Sequence, residues 1–124
     1  MSTADHATID DELFESCLTG EPELDLELVQ LAMTQSEEAL AGLKHALRTG
    51  SDSDWRQISH RARGSAGTMG FTKAAFLWNV AEFEATTTEA RAAAVASLRQ
   101  AVEEVRAELR MRGYEIPNAP ISAG

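Results

Sequence analysis

One histidine heads the most unusual run in this chain, His60-Arg61-Ala62-Arg63-Gly64-Ser65-Ala66-Gly67-Thr68-Met69-Gly70. A neutral imidazole keeps a lone pair on one ring nitrogen and can attack phosphorus to form a covalent phosphohistidine. Imidazoles titrate at about pH 6.5 in water, so most are neutral in a cytosol. The run reads as helix, yet it holds two interior glycines, each costing a helix about 1 kcal/mol relative to alanine. That cost needs a reason. With Trp55 at zero on a wheel of about 100° per residue, Ile58, Ala62, Ala66 and Met69 fall within about 60° of it and form an apolar stripe. His60 falls at about 140°, Gly64 at about 180° and Gly67 at about 120°, all on the solvent side. Bare backbone beside an exposed imidazole is what a docking protein needs in order to reach that imidazole.

The cations nearby sort on the same wheel. Arg56, at about 100°, and Arg63, at about 80°, flank the His60 strip, whereas Arg61, at about 240°, points elsewhere. Two guanidinium groups at that place suit phosphoryl oxygens or an acidic pocket on a partner. Other chemistries fit less well. Gly64-Ser65-Ala66-Gly67-Thr68-Met69-Gly70 lacks the Gly-Lys-Ser/Thr ending of a phosphate loop, and no strand precedes it. A metal site also fails, because His6, His45 and His60 sit in three different segments and Cys17 makes no pair with ligand spacing. His6 and His45 read as solvated surface residues, and Cys17 as a small apolar packing group.

The run resembles the phosphoacceptor motif of histidine-containing phosphotransfer (HPt) domains, the relay modules of bacterial and fungal two-component signalling. That family reads His-x-x-Lys/Arg-Gly-Ser/Ala-x-x-x-x-Gly, matched here by His60, Arg63, Gly64, Ser65 and Gly70. The similarity continues over about residues 24 to 112 as a helical pattern on both sides of the motif. The resemblance implies a phosphoryl carrier rather than an enzyme. His60 would be the phosphoacceptor and Arg63 a contact to the phosphoryl group or partner, with Arg56, Gly64 and Gly67 as the docking surface. The partners implied are response regulator receiver domains or a hybrid histidine kinase. The chain would have no cofactor, ATP site or metal of its own, and Mg²⁺ and the catalytic Asp would come with the receiver. Two departures stand out. The family most often has Lys where Arg63 stands, which keeps the charge and changes the geometry. It also tends to place a polar residue of a neighbouring helix near the histidine, for which Asn79 and Glu82 are both candidates. A helical adaptor that binds a receiver or kinase domain without accepting phosphate is the alternative. The phosphoacceptor piece of a chemotaxis-type kinase would need kinase domains that this sequence does not contain.

Composition narrows the class further. A chain of 124 residues suits one domain with a single core, and its 6% aromatic content suits closely packed helices. Twenty acids against eleven bases give a net charge of -9, the wrong balance for a nucleic-acid binder. The polar start through Asp5, Asp10, Asp11 and Glu12 is unlike a signal peptide, and no run approaches the roughly 18 apolar residues of a membrane span. A soluble, cytoplasmic monomer is expected.

Five helical segments must position the histidine. Thr8-x-x-Asp11 reads as a capping box for a short helix ending near Leu18. Pro22 opens a second, with Val29, Met33, Ser36, Leu40, Leu43 and Leu47 at spacings of three and four, closed by Gly50. Ser51-x-x-Asp54 caps the His60 helix, and Gly70 ends it. Thr72 caps a fourth helix, with Phe71 placed to staple onto Phe76, and Thr86-x-x-Glu89 caps a fifth carrying Ala94, Leu98, Ala101, Val105 and Leu109. The fold class is then all-α, an up-down-up-down antiparallel four-helix bundle with a short extra N-terminal helix across one end. The expected boundaries are an N-terminal segment over 1–20, the bundle over 21–112 and an irregular tail over 113–124. The short helix is expected to offer apolar residues such as Leu13 and Phe14 to a partner, with core packing as the other reading for Phe14.

Overall fold

Helices α1 (Asp11–Ser16), α2 (Pro22–Thr49), α3 (Asp52–Thr68), α4 (Thr72–Phe83) and α5 (Thr88–Met111) make up the regular structure in a computed structural model that describes residues 6–119. Asp5 and residues 120–124 of the expected tail lie outside the described residues, among which there is no strand.

The bundle follows from the apolar stripes. Val29, Met33 and Leu43 of α2 are buried, as are Trp55 and Ala66 of α3, Leu77, Trp78 and Ala81 of α4, and Leu98, Val105 and Leu109 of α5. Full burial of one such aliphatic or aromatic side chain contributes about 1.5–3 kcal/mol. Short turns between α2 and α3, α3 and α4, and α4 and α5 make consecutive helices antiparallel, and α2 also packs on α5 to close the ring. Ser51 caps α3 as expected, its side chain accepting from Asp54 N at 3.2 Å. The Trp55 indole N–H donates to Ala81 O at 2.7 Å, which fixes α3 against α4 deep in the core.

Three helix starts fall at other residues. Asp10, not Thr8, caps α1, accepting from Leu13 N at 3.0 Å. Thr72 is the first residue of α4 rather than its cap, and its hydroxyl donates to Ala7 O at 2.7 Å. Thr87, not Thr86, caps α5, accepting from Ala90 N at 3.1 Å. At α1 and α5 the cause is the same: neighbouring Ser, Thr and Asp residues are all competent caps, and the direction of the incoming chain decides among them. At α4 the cap position falls to Phe71, which makes no side-chain cap hydrogen bond, while the Thr72 hydroxyl is engaged by the incoming N-terminal segment instead.

The short α1 does cover one end, at the α3–α4 turn. Asp10 N donates to Gly70 O at 2.7 Å, and the Cys17 thiol reaches Thr68 O at 3.1 Å. Phe14 points inward, 2% exposed and edge-on to Tyr114 at 6.0 Å, so of its two readings it takes core packing and does not face a partner; Leu13 is the exposed one. Apolar burial is worth more to a six-residue helix than exposure, since so short a helix is unstable unless it packs. His6 is likewise not solvated: its ring stacks on Phe76 at 4.4 Å.

Two polar features bind the ends to the bundle. Asp25 is buried at the start of α2, and its carboxylate accepts from Thr19 N (2.7 Å), Thr19 Oγ1 (2.8 Å) and Gly20 N (3.0 Å). These donors, the Thr19 amide foremost, hold its pKa below the usual carboxylate range. On α5, Arg106 is 2% exposed, paired with Glu37 of α2 and with Glu103, and its Nε donates to Pro117 O at 3.1 Å. Burial, together with the charge of Arg110, lowers its pKa. Residues 114–119, the described part of the tail beyond Gly113, form no helix or strand and are packed down. Gln30 donates to Glu115 O at 2.7 Å, Arg110 Nε to Ile116 O at 2.8 Å, and Ile116 is buried. No helix of the structure is long and apolar enough to cross a membrane.

Candidate functional site

α3 presents His60 because its apolar residues and Trp55 pin the opposite side of the helix to the core. The His60 side chain is 62% exposed at the middle of the helix. Ser59, which the sequence reading left out of the stripe, is fully buried beside Trp55 and Ala66, so the helix faces the core as the wheel placed it.

The partner from the neighbouring helix is Glu82. His60 Nδ1 and Glu82 Oε2 are 3.0 Å apart, and the carboxylate is only 11% exposed. A carboxylate accepts and does not donate, so this pairing assigns the proton to Nδ1 and leaves the lone pair on Nε2. Arg63 NH2 also lies 3.4 Å from Nδ1, but a protonated Nδ1 has no lone pair to accept from it, so that approach is a contact rather than a hydrogen bond. The other candidate, Asn79, serves a different residue: its Oδ1 accepts from Arg63 NH1 at 3.0 Å. Arg63 Nε sits 3.8 Å from Glu82 Oε1, and its Cζ lies 5.6 Å from the centroid of Phe83. Arg63 is therefore tied to α4 on three sides rather than loose beside the imidazole.

Arg56 stays exposed and lines a shallow depression with Gln57, His60, Arg61 and Glu82. Arg61 was expected to point elsewhere. It borders this depression as well as the groove between α2 and α3, as its place next to His60 in the chain allows. Arg63 thus lies against the imidazole, and Arg56 and Arg61 border the same depression, in a chain whose net charge is -9. Gly64 is exposed and Gly67 half-buried, and a Cβ built on either would meet nothing within 4 Å. The docking residues expected from the sequence, Arg56, Gly64 and Gly67, therefore lie on or beside the His60 face. Phe83, 61% exposed, was missed. Its signal was available only in hindsight, as an apolar residue following Glu82 at the last turn of a helix already supplied with core residues. Among the described residues there is no group of three or more His, Cys, Asp or Glu side chains placed to hold a metal ion.

No curated protein and no solved structure matches the chain. The Hpt domain family model matches residues 27–108, which takes in most of α2, all of α3 and α4, and α5 up to its last turn. More than half the chain lies in that match, with the exposed histidine and its carboxylate near the centre, and the chain belongs to the Hpt domain family of two-component phosphorelays.

Proposed function

We propose that the chain is a stand-alone, monomeric, cytoplasmic phosphoryl carrier that relays a phosphoryl group between receiver-domain aspartates through Nε2 of His60. Hpt domains are phosphocarriers that interact with receiver domains and kinases, so the coarse activity follows from the family. The residue assignment rests on one observation: an exposed imidazole whose Nδ1 is held by Glu82, which leaves Nε2 as the nucleophile.

The Nε2 lone pair attacks the phosphorus of the receiver's aspartyl phosphate. The N–P bond forms, the P–O bond to the aspartate breaks, and the aspartate leaves as a free carboxylate. The ring becomes a phosphoimidazolium with its proton still on Nδ1, and the adjacent Glu82 carboxylate offsets that positive charge. Transfer onward reverses each step. Mg²⁺, if held on the receiver side of the complex, would supply charge neutralisation of the phosphoryl oxygens. Arg56, exposed on the depression beside His60, meets the receiver's acidic pocket, while Arg63 acts chiefly by holding Glu82 and Asn79 in place. Gly64 and Gly67 give the partner room to approach.

The test is acid-labile ³²P incorporation from a phosphorylated receiver. His60→Gln is expected to abolish labelling while changing stability by less than about 0.5 kcal/mol, as exposed substitutions usually do. Full labelling of that variant sinks the assignment. Tight receiver binding with no label on the wild-type chain would instead favour the phosphate-independent adaptor.

A further inference from the structure

Phe83 has no evident place in the fold. α4 already buries Ala74, Leu77, Trp78 and Ala81, and its last residue turns a phenyl ring into solvent at 61% exposure. Among the exposed large apolar side chains of the described residues, Leu13, Leu24, Leu31, Phe83 and Met111, it is Phe83 that belongs to the His60 network. It follows Glu82 directly, and its ring lies 5.6 Å from the guanidinium carbon of Arg63, whose NH2 is 3.4 Å from His60 Nδ1.

We infer that Phe83, backed by Arg63, is an aromatic anchor for the receiver domain on the α4 side of His60. The inference rests on His60 being the phosphoacceptor. A receiver that brings its aspartate to Nε2 must cover the surface around it. A protein interface of standard size covers about 800 Å² per partner, a disc of roughly 16 Å radius. Phe83 stands two contacts from the imidazole and falls inside a disc of that radius centred on it. The chemistry suits the place, because aromatic residues and Arg are enriched at the cores of interfaces and supply most hot spots. The ring is also pre-ordered: Arg63 lies over it, and Asn79 at 3.0 Å fixes Arg63 in turn, so little freedom is lost when a partner closes on it. The partner required has an apolar surface beside an acidic pocket, the pocket meeting Arg56 and the apolar part meeting Phe83.

The experiment measures phosphotransfer from a phosphorylated receiver across a range of receiver concentrations, for wild type, Phe83→Ala, Phe83→Tyr and Met111→Ala. Met111 is 83% exposed on α5 and serves as the control for loss of an exposed apolar side chain. Phe83→Ala is expected to raise the half-saturating receiver concentration about tenfold, with the saturated rate within twofold of wild type. Phe83→Tyr keeps the ring and is expected to restore wild-type behaviour, and Met111→Ala to match wild type throughout. A fall confined to the saturated rate would mean that Phe83 acts through Arg63 on His60, and it overturns the anchor. So does an unchanged concentration dependence. Labelling of the wild-type chain by phosphoramidate, a partner-free donor, separates the two levels. If phosphoramidate and receiver both fail to label wild type, the phosphoacceptor assignment fails; if both label it and Phe83→Ala transfers normally, only the anchor fails.

Discussion

Gly64, Gly67 and Gly70 lie within seven residues of one another, and the first two do the opposite job from the third. Gly64 and Gly67 sit inside α3, where a Cβ would meet nothing within 4 Å. Gly70 ends the same run at φ +80°, where a Cβ would sit 2.8 Å from Asp10 O, 2.9 Å from Phe14 N and 3.1 Å from Leu13 Cβ. The fold requires Gly70: it lets α1 close over the α3–α4 turn and lets Asp10 N reach the Gly70 carbonyl. The fold does not require Gly64 or Gly67, each of which costs the helix about 1 kcal/mol with no internal gain. A cost that nothing inside the molecule offsets points to something outside it. The two kinds of glycine are indistinguishable by residue type and separable by what the missing Cβ would touch.

The largest effect is expected on the fold side of this comparison. In Gly70→Ala, a left-handed conformation unfavourable by about 1–2 kcal/mol for an L-residue combines with contacts to backbone atoms that cannot swing aside. The chain should lose about 2–4 kcal/mol in urea unfolding, with Phe14 becoming accessible as α1 lifts. Stability within 0.5 kcal/mol of wild type, a threshold set by ordinary surface substitutions, would break the comparison at its strongest point.

On the docking side the sign reverses. Gly64→Leu is expected to stabilise α3 by up to about 1 kcal/mol while cutting phosphotransfer by about tenfold or more, since an isobutyl group one turn from His60 stands in the path of the receiver. Circular dichroism melting and ³²P transfer rates on the same preparation read both effects. A variant that is less stable and transfers normally would mean that Gly64 serves packing after all.

The sequence made the core faces legible because a period of 3.6 is written into α2, α3 and α5, and the orientation of α3 fixed His60, Gly64 and Gly67 outward. Ser51 and Gly50 were legible for local reasons, as a cap and a helix stop. What stayed hidden depends on how one helix is rotated against another. Asn79 and Glu82 are three residues apart on α4 and share a face, so spacing alone does not say which meets His60 and which meets Arg63. Arg106 is a charge one residue beyond a buried valine, Val105, and only the arrival of Glu37 from α2 and Pro117 from the tail makes its burial tolerable. Phe14 was uncertain for the same reason, since nothing local shows that Gly70 opens a seat for α1. The anchoring of the tail by Gln30 and Arg110 stayed hidden as well, since Gln30 lies far from the tail in sequence.

The smallest effect is the most discriminating. Gly67→Ala makes the same chemical change as Gly70→Ala, three residues earlier in the chain, and a single methyl there has open space on every side. It should therefore stabilise the chain by about 0.5–1 kcal/mol, through helix propensity and a less flexible unfolded state. Gly67 lies on the His60 strip about two turns further along α3, so a methyl should slow transfer by no more than about twofold, well short of the effect of a leucine at Gly64. Urea unfolding of Gly67→Ala and Gly70→Ala side by side checks the sign. Destabilisation by both would mean that some side chain closes on Gly67 in solution, and the division between fold glycines and docking glycines would fail. Stabilisation with wild-type transfer would instead confine the receiver's closest approach to Gly64, and move the centre of its footprint toward His60 and Phe83.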